Sequence, residues 1–234
     1  MVIRVPETGG APVRMLAVRD EDPARAWDPL GAWWPDRPGT IGVRDRVAGG
    51  AWLAARPADG RVAVIVNRAG EPAGARIESR GSIALDAVEG RAPQAPRTLG
   101  FHLVETDGVD AVVTTWDGAT LRRRSLGTGT HMIAHDEPDD PRTARIAAWR
   151  DAFAAAPTSS RPWWRDWVEV LAASARLDPT DDRAIIRDNR PHGYPTQSLL
   201  ACVASVTPGD ADVRYAALAA PGAWNPLRFD DPVR

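Results

Sequence analysis

Three Asp-Gly pairs between apolar runs constrain the fold of this chain more than any other feature. They are Asp59-Gly60, Asp107-Gly108 and Asp117-Gly118. Asp-Gly accepts the positive φ angles that tight hairpin turns require, so the first pair predicts a hairpin and the other two predict a three-stranded meander. The second strand of the hairpin, Val62 to Val66, is apolar at every position, which predicts a central strand covered on both faces.

Helical patterns interrupt and follow these strands. A short helix is expected over "SIALDAVEG", and a longer one is expected to begin with Asp140 as its cap and Pro141 in its first position. Another helix is expected over "RPWWRDWVEVLAASARL", before the chain returns to strands in "QSLLACVASV" and "VRYAALAA". Strands, helices and strands in this order indicate an α+β fold, and we expect a single domain over residues 1–234.

Charge and apolar patterning limit the partners of the chain. The formal net charge of −2 provides no basic field, so nucleic acid is not expected as a partner. No apolar run approaches the ~20 residues of a membrane span, and the opening "MVIRVPETGG" lacks the apolar core of a signal peptide. The one cysteine, Cys202, lies in an apolar strand and is expected to be buried and unreactive. These features predict a cytoplasmic protein; no pattern indicates its oligomeric state.

A charged run ends an apolar strand early in the chain. The stretch "VRMLAV" continues directly into Arg19, Asp20 and Glu21. Such a run forms either a surface ion pair at the end of the strand or a buried network that faces a ligand. Trp33 and Trp34 follow in a Pro-rich loop, where they are candidates for the rim of a ligand site.

Several short motifs, taken in order, resemble the NRDE family, the homologues of transport and Golgi organisation protein 2. The motifs are "VRDED" at 18–22, the Trp pair, "AGGAWLA" at 48–54, "VNR" at 66–68, "SRG" at 79–81 and "TTWDG" at 114–118. The resemblance implies an N-terminal-nucleophile (Ntn) hydrolase-like fold, a four-layer αββα sandwich of two antiparallel sheets. In Ntn enzymes the first residue of the mature chain supplies the nucleophile and its α-amino group acts as the base.

The resemblance also implies roles for residues of this chain. An Arg orients the nucleophile or substrate, an Asp holds the amine and an Asn donates to the oxyanion. Where the family tends to have a later Asn this chain has His135, and where it tends to have an Arg-Ser pair the chain has Gln197 and Ser198. The candidate catalytic residues are Arg19, Asp20, Asn67 and His135. The candidate ligand-binding residues are Glu21, Trp33, Trp34 and Gln197.

The beginning of the chain departs from the family pattern. Members typically begin Met-Cys, whereas this chain begins Met1-Val2, and neither side chain is a nucleophile. Either a short leading segment with the Cys is missing from the sequence, or the nucleophile has been lost. Three functions therefore stay open: an Ntn-type cysteine hydrolase of a small amide or acyl substrate, a non-enzymatic carrier of a small ligand such as haem, or a degenerate scaffold.

His131 and His135 are candidates for a metal site. The two imidazoles share a face and acidic residues follow them, and such ligands suit zinc or iron. Because the spacing places no third ligand, no metal is expected.

Overall fold

Strands dominate the residues that the structure describes, which are 1–7, 10–73 and 77–233. This structure is a computed structural model. The strands are β1 (Val2–Val5), β2 (Val13–Glu21), β3 (Trp27–Gly31), β4 (Ile41–Asp45), β5 (Ala51–Arg56), β6 (Arg61–Asn67), β7 (Phe101–Thr106), β8 (Ala111–Trp116), β9 (Leu121–Ser125), β10 (Gly129–Met132), β11 (Gln197–Thr207) and β12 (Asp210–Ala217). The α-helices are α1 (Ile83–Val88), α2 (Ala144–Ala155) and α3 (Arg165–Ser174).

The strands form two antiparallel sheets. The five-stranded sheet has the order β10-β1-β2-β11-β12, and the seven-stranded sheet runs in chain order from β3 to β9. β2 and β6 are therefore central strands, each with a hydrogen-bonded neighbour on both sides. The predicted α+β class and the two-sheet sandwich are confirmed.

Three apolar clusters show how the layers stack. One cluster fills the space between the sheets and contains Ile3 and Met15 from one sheet and Val62 and Val64 from the other. A second cluster joins the outer face of the seven-stranded sheet to α1. A third joins the outer face of the five-stranded sheet to α2 and α3. The layers thus follow the order helix, sheet, sheet, helix, because each sheet buries both of its faces.

Most of the strand and turn predictions are confirmed. β5 and β6 form the predicted hairpin through Gly60, and β7, β8 and β9 form the predicted meander. β6 is apolar on both faces because its side chains enter the inter-sheet cluster and the α1 cluster in alternation. The short helix expected over "SIALDAVEG" is α1, and Gly90, the last residue of that stretch, follows it with a φ of 82°. Cys202 is buried, as predicted.

The predicted start of α2 is wrong. The helix begins at Ala144 after Thr143, and Asp140 does not cap it. The Asp140 carboxylate instead accepts hydrogen bonds from the backbone and guanidinium nitrogens of Arg142, at 2.6–3.1 Å. The Asp140 carboxylate thus pairs with Arg142, two residues later, and does not take the capping role that the Asp-Pro pattern indicated. Among the described helices, none is both long and apolar enough to cross a membrane.

Candidate active site at the leading end of β1

The amino group of Met1 lies buried within the five-stranded sheet. The pairing between β1 and β10 extends by one residue. The Met1 amine donates to the Ile133 carbonyl at 2.8 Å, and the Ile133 amide donates to the Met1 carbonyl at 3.0 Å. Burial, followed by the charge of Arg145, lowers the pKa of the amine from 8.0 to about 5, against the opposing charge of Asp20. The amine is therefore neutral at pH 7, which is the form that can accept a proton.

Asp20 is the aspartate to which the resemblance assigns the role of holding the amine. It lies near the end of β2, next to β1, and the Ser198 hydroxyl donates to its Oδ1 at 2.5 Å. Burial raises the pKa of Asp20, while Arg145, the Ser198 hydrogen bond, Arg187 and the Met1 amine each act to lower it. Groups from four separate segments of the chain thus stabilise the charged form of this carboxylate.

Ser198 and Arg187 lock together beside Asp20. The Arg187 amide donates to Ser198 Oγ at 2.8 Å, and the Ser198 amide donates to the Arg187 carbonyl at 2.9 Å. The Arg187 guanidinium is almost fully buried and donates to the Asp181 carbonyl at 2.9 Å, to Asn189 Oδ1 at 2.8 Å and to Asp182 Oδ1 at 3.2 Å. These bonds fix the segment before β11 against the end of β2.

Arg145, in the first turn of α2, completes the cluster. The charge of Arg145 lowers the pKa of the Met1 amine and that of Asp20. The charges that act on the pKa of Arg145 itself are those of Asp20, Arg187, Asp182 and Asp136. Burial lowers the pKa of Arg145, and its Nε atom is buried without a hydrogen-bond partner in the described part of the chain. We call the Met1 amine, Asp20, Arg145, Arg187 and Ser198 the amine cluster.

Comparison with known proteins gives a family match for part of this sequence. Residues 4–111 match the model of the family described as Transport and Golgi organisation 2. Over those residues the chain is similar to this family. The NRDE resemblance predicted from the motifs is thereby confirmed. No curated protein matches the chain.

The Transport and Golgi organisation 2 match contains Asp20 but excludes most of its partners. Arg145, Arg187 and Ser198 lie beyond residue 111, and so do His135 and Gln197. The amine cluster is therefore assembled from the family-matched part of the chain and from the part that follows it.

Arg19 and Glu21 lie on the other face of β2 from Asp20. Successive strand residues alternate in direction, and Arg19 shares the inter-sheet face with Ala17. There its guanidinium donates to Glu21 Oε2 at 3.1 Å, and its charge acts on the buried Cys202 thiol. Arg19 Nη1 is buried without a hydrogen-bond partner among the described residues. The charged run therefore forms two separate networks, of which only the Asp20 network faces the amine.

The remaining candidate catalytic residues lie at different distances from the amine cluster in the fold. His135 follows β10, its Nε2 lies 3.3 Å from Asp136 Oδ2, and its pKa is lowered by burial and by Arg145 and Arg187. His135 is therefore at the edge of the amine cluster. Asn67 is exposed at the end of β6 and falls on the same strand face as Ile65, which points away from the inter-sheet space.

The candidate ligand-binding residues make contacts of their own. Gln197 donates to the Pro221 carbonyl at 3.3 Å, so it is directed toward the turn after β12 while its neighbour Ser198 reaches Asp20. The indole of Trp33 donates to the Pro29 carbonyl at 2.7 Å, and that of Trp34 donates to the Gly49 carbonyl at 2.8 Å. Both Trp side chains stay partly exposed near the β3–β4 edge of the seven-stranded sheet.

The two histidines weighed for a metal are not brought to a common site. His131 engages both ring nitrogens, with Asp139 at 2.6 Å and the Gly127 carbonyl at 2.8 Å. The residues that the structure describes contain no group of three or more His, Cys, Asp or Glu side chains placed to hold a metal ion.

Arg145 and Arg187 were missed by the sequence reasoning. Arg187 ends the apolar pair Ile185-Ile186 and precedes an Asp, just as Arg19 follows Val18 and precedes Asp20, so the repeated pattern was a usable signal. Arg145 stands four residues before Trp149 beside the apolar stripe of α2, which indicates only partial burial. No spacing in the sequence links either arginine to Asp20.

Proposed function

We propose that this chain carries an Ntn-type hydrolase site for a small amide or related acyl substrate at the leading end of β1. The single observation that supports the proposal is the environment at the leading end of β1, where burial and Arg145 lower the pKa of an amine, that of Met1, to about 5 and the charge of Asp20 opposes them. A neutral amine at pH 7 is the general base that this chemistry uses.

The reaction needs a nucleophile that the printed sequence does not supply. Met1 has a thioether and Val2 an isopropyl group, so the proposal requires a cysteine at the leading end of β1, as the family resemblance implies. The register of β1 on β2 pairs Val2 with Leu16, so a residue preceding Met1 would continue the strand alongside Val18 and approach Asp20. Such a residue would place its own amine and thiol beside the amine cluster.

In the proposed reaction each group has one task. The amine takes the proton of the cysteine thiol, and the sulfur attacks the carbonyl carbon of the substrate. The C–N bond breaks, and the leaving amine takes the proton. Water then hydrolyses the thioester and regenerates the thiol. Asp20 limits how far the pKa of the amine falls, since Asp20 is the group that raises it.

Mass spectrometry of the protein from its natural host tests the proposal. A mature chain whose first residue is Cys, alkylated by iodoacetamide at pH 6 in preference to the buried Cys202, is the expected result. A mature chain that begins with Met1 or Val2 would contradict hydrolysis by this route.

Haem carriage stays a prediction of the resemblance. Trp33 and Trp34 bond within their own part of the fold, and the two ring nitrogens of His102 both have protein partners. A haem titration followed by Soret absorbance tests it, and no shift at micromolar protein would exclude it. A cytoplasmic location is likewise part of the proposal, because a cysteine nucleophile stays reduced there.

A further inference from the structure

We propose that Arg145 binds a carboxylate of the ligand, so that the site selects small molecules that carry both a carboxylate and the amide or acyl bond. The inference rests on the proposed function for the acyl bond, but the carboxylate site itself stands on the contacts of Arg145.

Arg145 differs from the surface arginines near it. Arg142, Arg183 and Arg190 each bind the aspartate two positions earlier in the chain. In contrast, no carboxylate oxygen of the described residues lies within 4.0 Å of the Arg145 guanidinium. Local sequence offers it none, because Thr143 stands two positions earlier and the first acidic residue of α2 is Asp151.

The carboxylates that surround Arg145 are each held by another group. Asp20 accepts the Ser198 hydroxyl at 2.5 Å, Asp182 is bound by Arg187 at 3.2 Å, and Asp136 accepts the Thr143 hydroxyl at 2.7 Å. The three carboxylates act on the charge of Arg145 without forming an ion pair with it, because none of them lies within 4.0 Å of its guanidinium. A partly buried guanidinium with an unbonded Nε is costly unless a partner supplies the missing hydrogen bonds.

A carboxylate of a ligand can supply the hydrogen-bond acceptors that the Arg145 guanidinium lacks among the described residues. The guanidinium fork binds a carboxylate through two parallel N–H donors, which gives both charge and geometric selectivity. Because Arg145 acts on the pKa of the Met1 amine, its charge lies close enough to the leading end of β1 for one small molecule to reach both. A bound carboxylate would also offset the charge of Arg145 and so raise the pKa of the amine.

Binding of a matched pair of small probes tests the carboxylate site. N-acetylglycine and its neutral analogue N-acetylglycinamide would be titrated into the full chain at pH 7 by calorimetry or NMR. We expect measurable binding of N-acetylglycine and at least tenfold weaker binding of the amide. We expect Arg145→Gln to weaken N-acetylglycine by at least tenfold, whereas Arg150→Gln, a control on the exposed part of the same helix, leaves it unchanged.

Two outcomes would overturn the inference. One is equal affinity for the acid and the amide, and the other is retention of N-acetylglycine binding by Arg145→Gln. Thermal unfolding shows whether the variant folds, and we expect Arg145→Gln to fold, because the substitution breaks no hydrogen bond or ion pair among the described residues. Since binding needs no nucleophile, failure of hydrolysis and failure of the carboxylate site are distinguishable.

Discussion

Asp20 and Arg19 are neighbours in the chain but serve different faces of β2. The sequence predicted that a charged run ends this strand, and strand alternation explains why the run divides. What the sequence could not predict is which groups meet Asp20, since Ser198, Arg187 and Arg145 come from β11, the segment before it and α2. Contacts between such distant segments depend on packing, which periodicity does not encode.

Replacing Asp20 tests whether its charge acts on the amine. In Asp20→Asn the pKa of the Met1 amine should fall below its value in the wild-type chain, because the group that raises it is removed. A titration followed by NMR with ¹⁵N-methionine label measures this. Glu21→Gln is the matched control, since Glu21 lies on the opposite face of β2, and an equal fall in both variants would refute the assignment.

Among the elements, the longer strands and the helices with a clear apolar stripe were predictable. β1 was not predicted as a strand because its four residues show too little alternation, and its place between β10 and β2 depends on partners distant in sequence. The predicted start of α2 was wrong because the Asp140 carboxylate, which was expected to cap the helix, binds Arg142 instead. Trp163 and Trp167 lie at helical spacing and pack in one cluster against the five-stranded sheet.

Two substitutions of Trp167 measure how much the packing of its ring contributes to stability. Trp167 is fully buried, with edge contacts to Phe153 and Trp163, and its Nε1 has no hydrogen-bond partner in the described residues. Trp167→Ala should cost about 3–5 kcal/mol of unfolding free energy. Trp167→Phe should cost much less, because Phe keeps an aromatic ring in the cluster and no hydrogen bond is lost. Urea unfolding measures both, and equal losses would contradict the assignment of this stability to packing of the ring.

His102 in β7 makes the stability of the chain depend on pH. Burial, and then Arg68, lower the pKa of its imidazole from 6.5 to about 4. The unfolded chain therefore binds a proton at a pH where the folded chain does not, so this stabilisation is complete above pH 6.5 and is lost as the pH falls toward 4. The loss should approach about 3 kcal/mol in urea unfolding. His102→Gln should flatten this part of the profile, and an unchanged profile would contradict the assignment.

For the whole molecule, the layered architecture could be predicted from the strand and helix patterns together with the resemblance. The backbone contacts between the two sheets could not be predicted. Gly60 and Gly108, both at turns of the seven-stranded sheet, lie against the backbone of the turn that joins β11 to β12. A Cβ at Gly108 would lie 2.3 Å from the Thr207 carbonyl carbon. A glycine in a turn pattern indicates a positive φ, but it does not indicate which distant backbone needs the space.

An alanine at Gly108 should therefore weaken the contact between the sheets. Gly193 is a matched control, because its φ of 85° is almost the same as the 84° of Gly108 while nothing lies within 4 Å of its Cβ position. Both substitutions incur the cost of a left-handed backbone, roughly 1–2 kcal/mol. Gly108→Ala should cost more than Gly193→Ala in urea unfolding, and equal costs would show that this approach of the backbones does not limit stability.

The most direct test of the account is the protonation of the amino group at the leading end of β1. A ¹⁵N NMR titration of the Met1 amine in the folded chain measures its pKa. A value near 5, as burial and Arg145 predict, would show an amine prepared to act as a base at neutral pH. A value near 8, the ordinary value for an exposed amino terminus, would contradict the assignment of this end of the sheet as the active site.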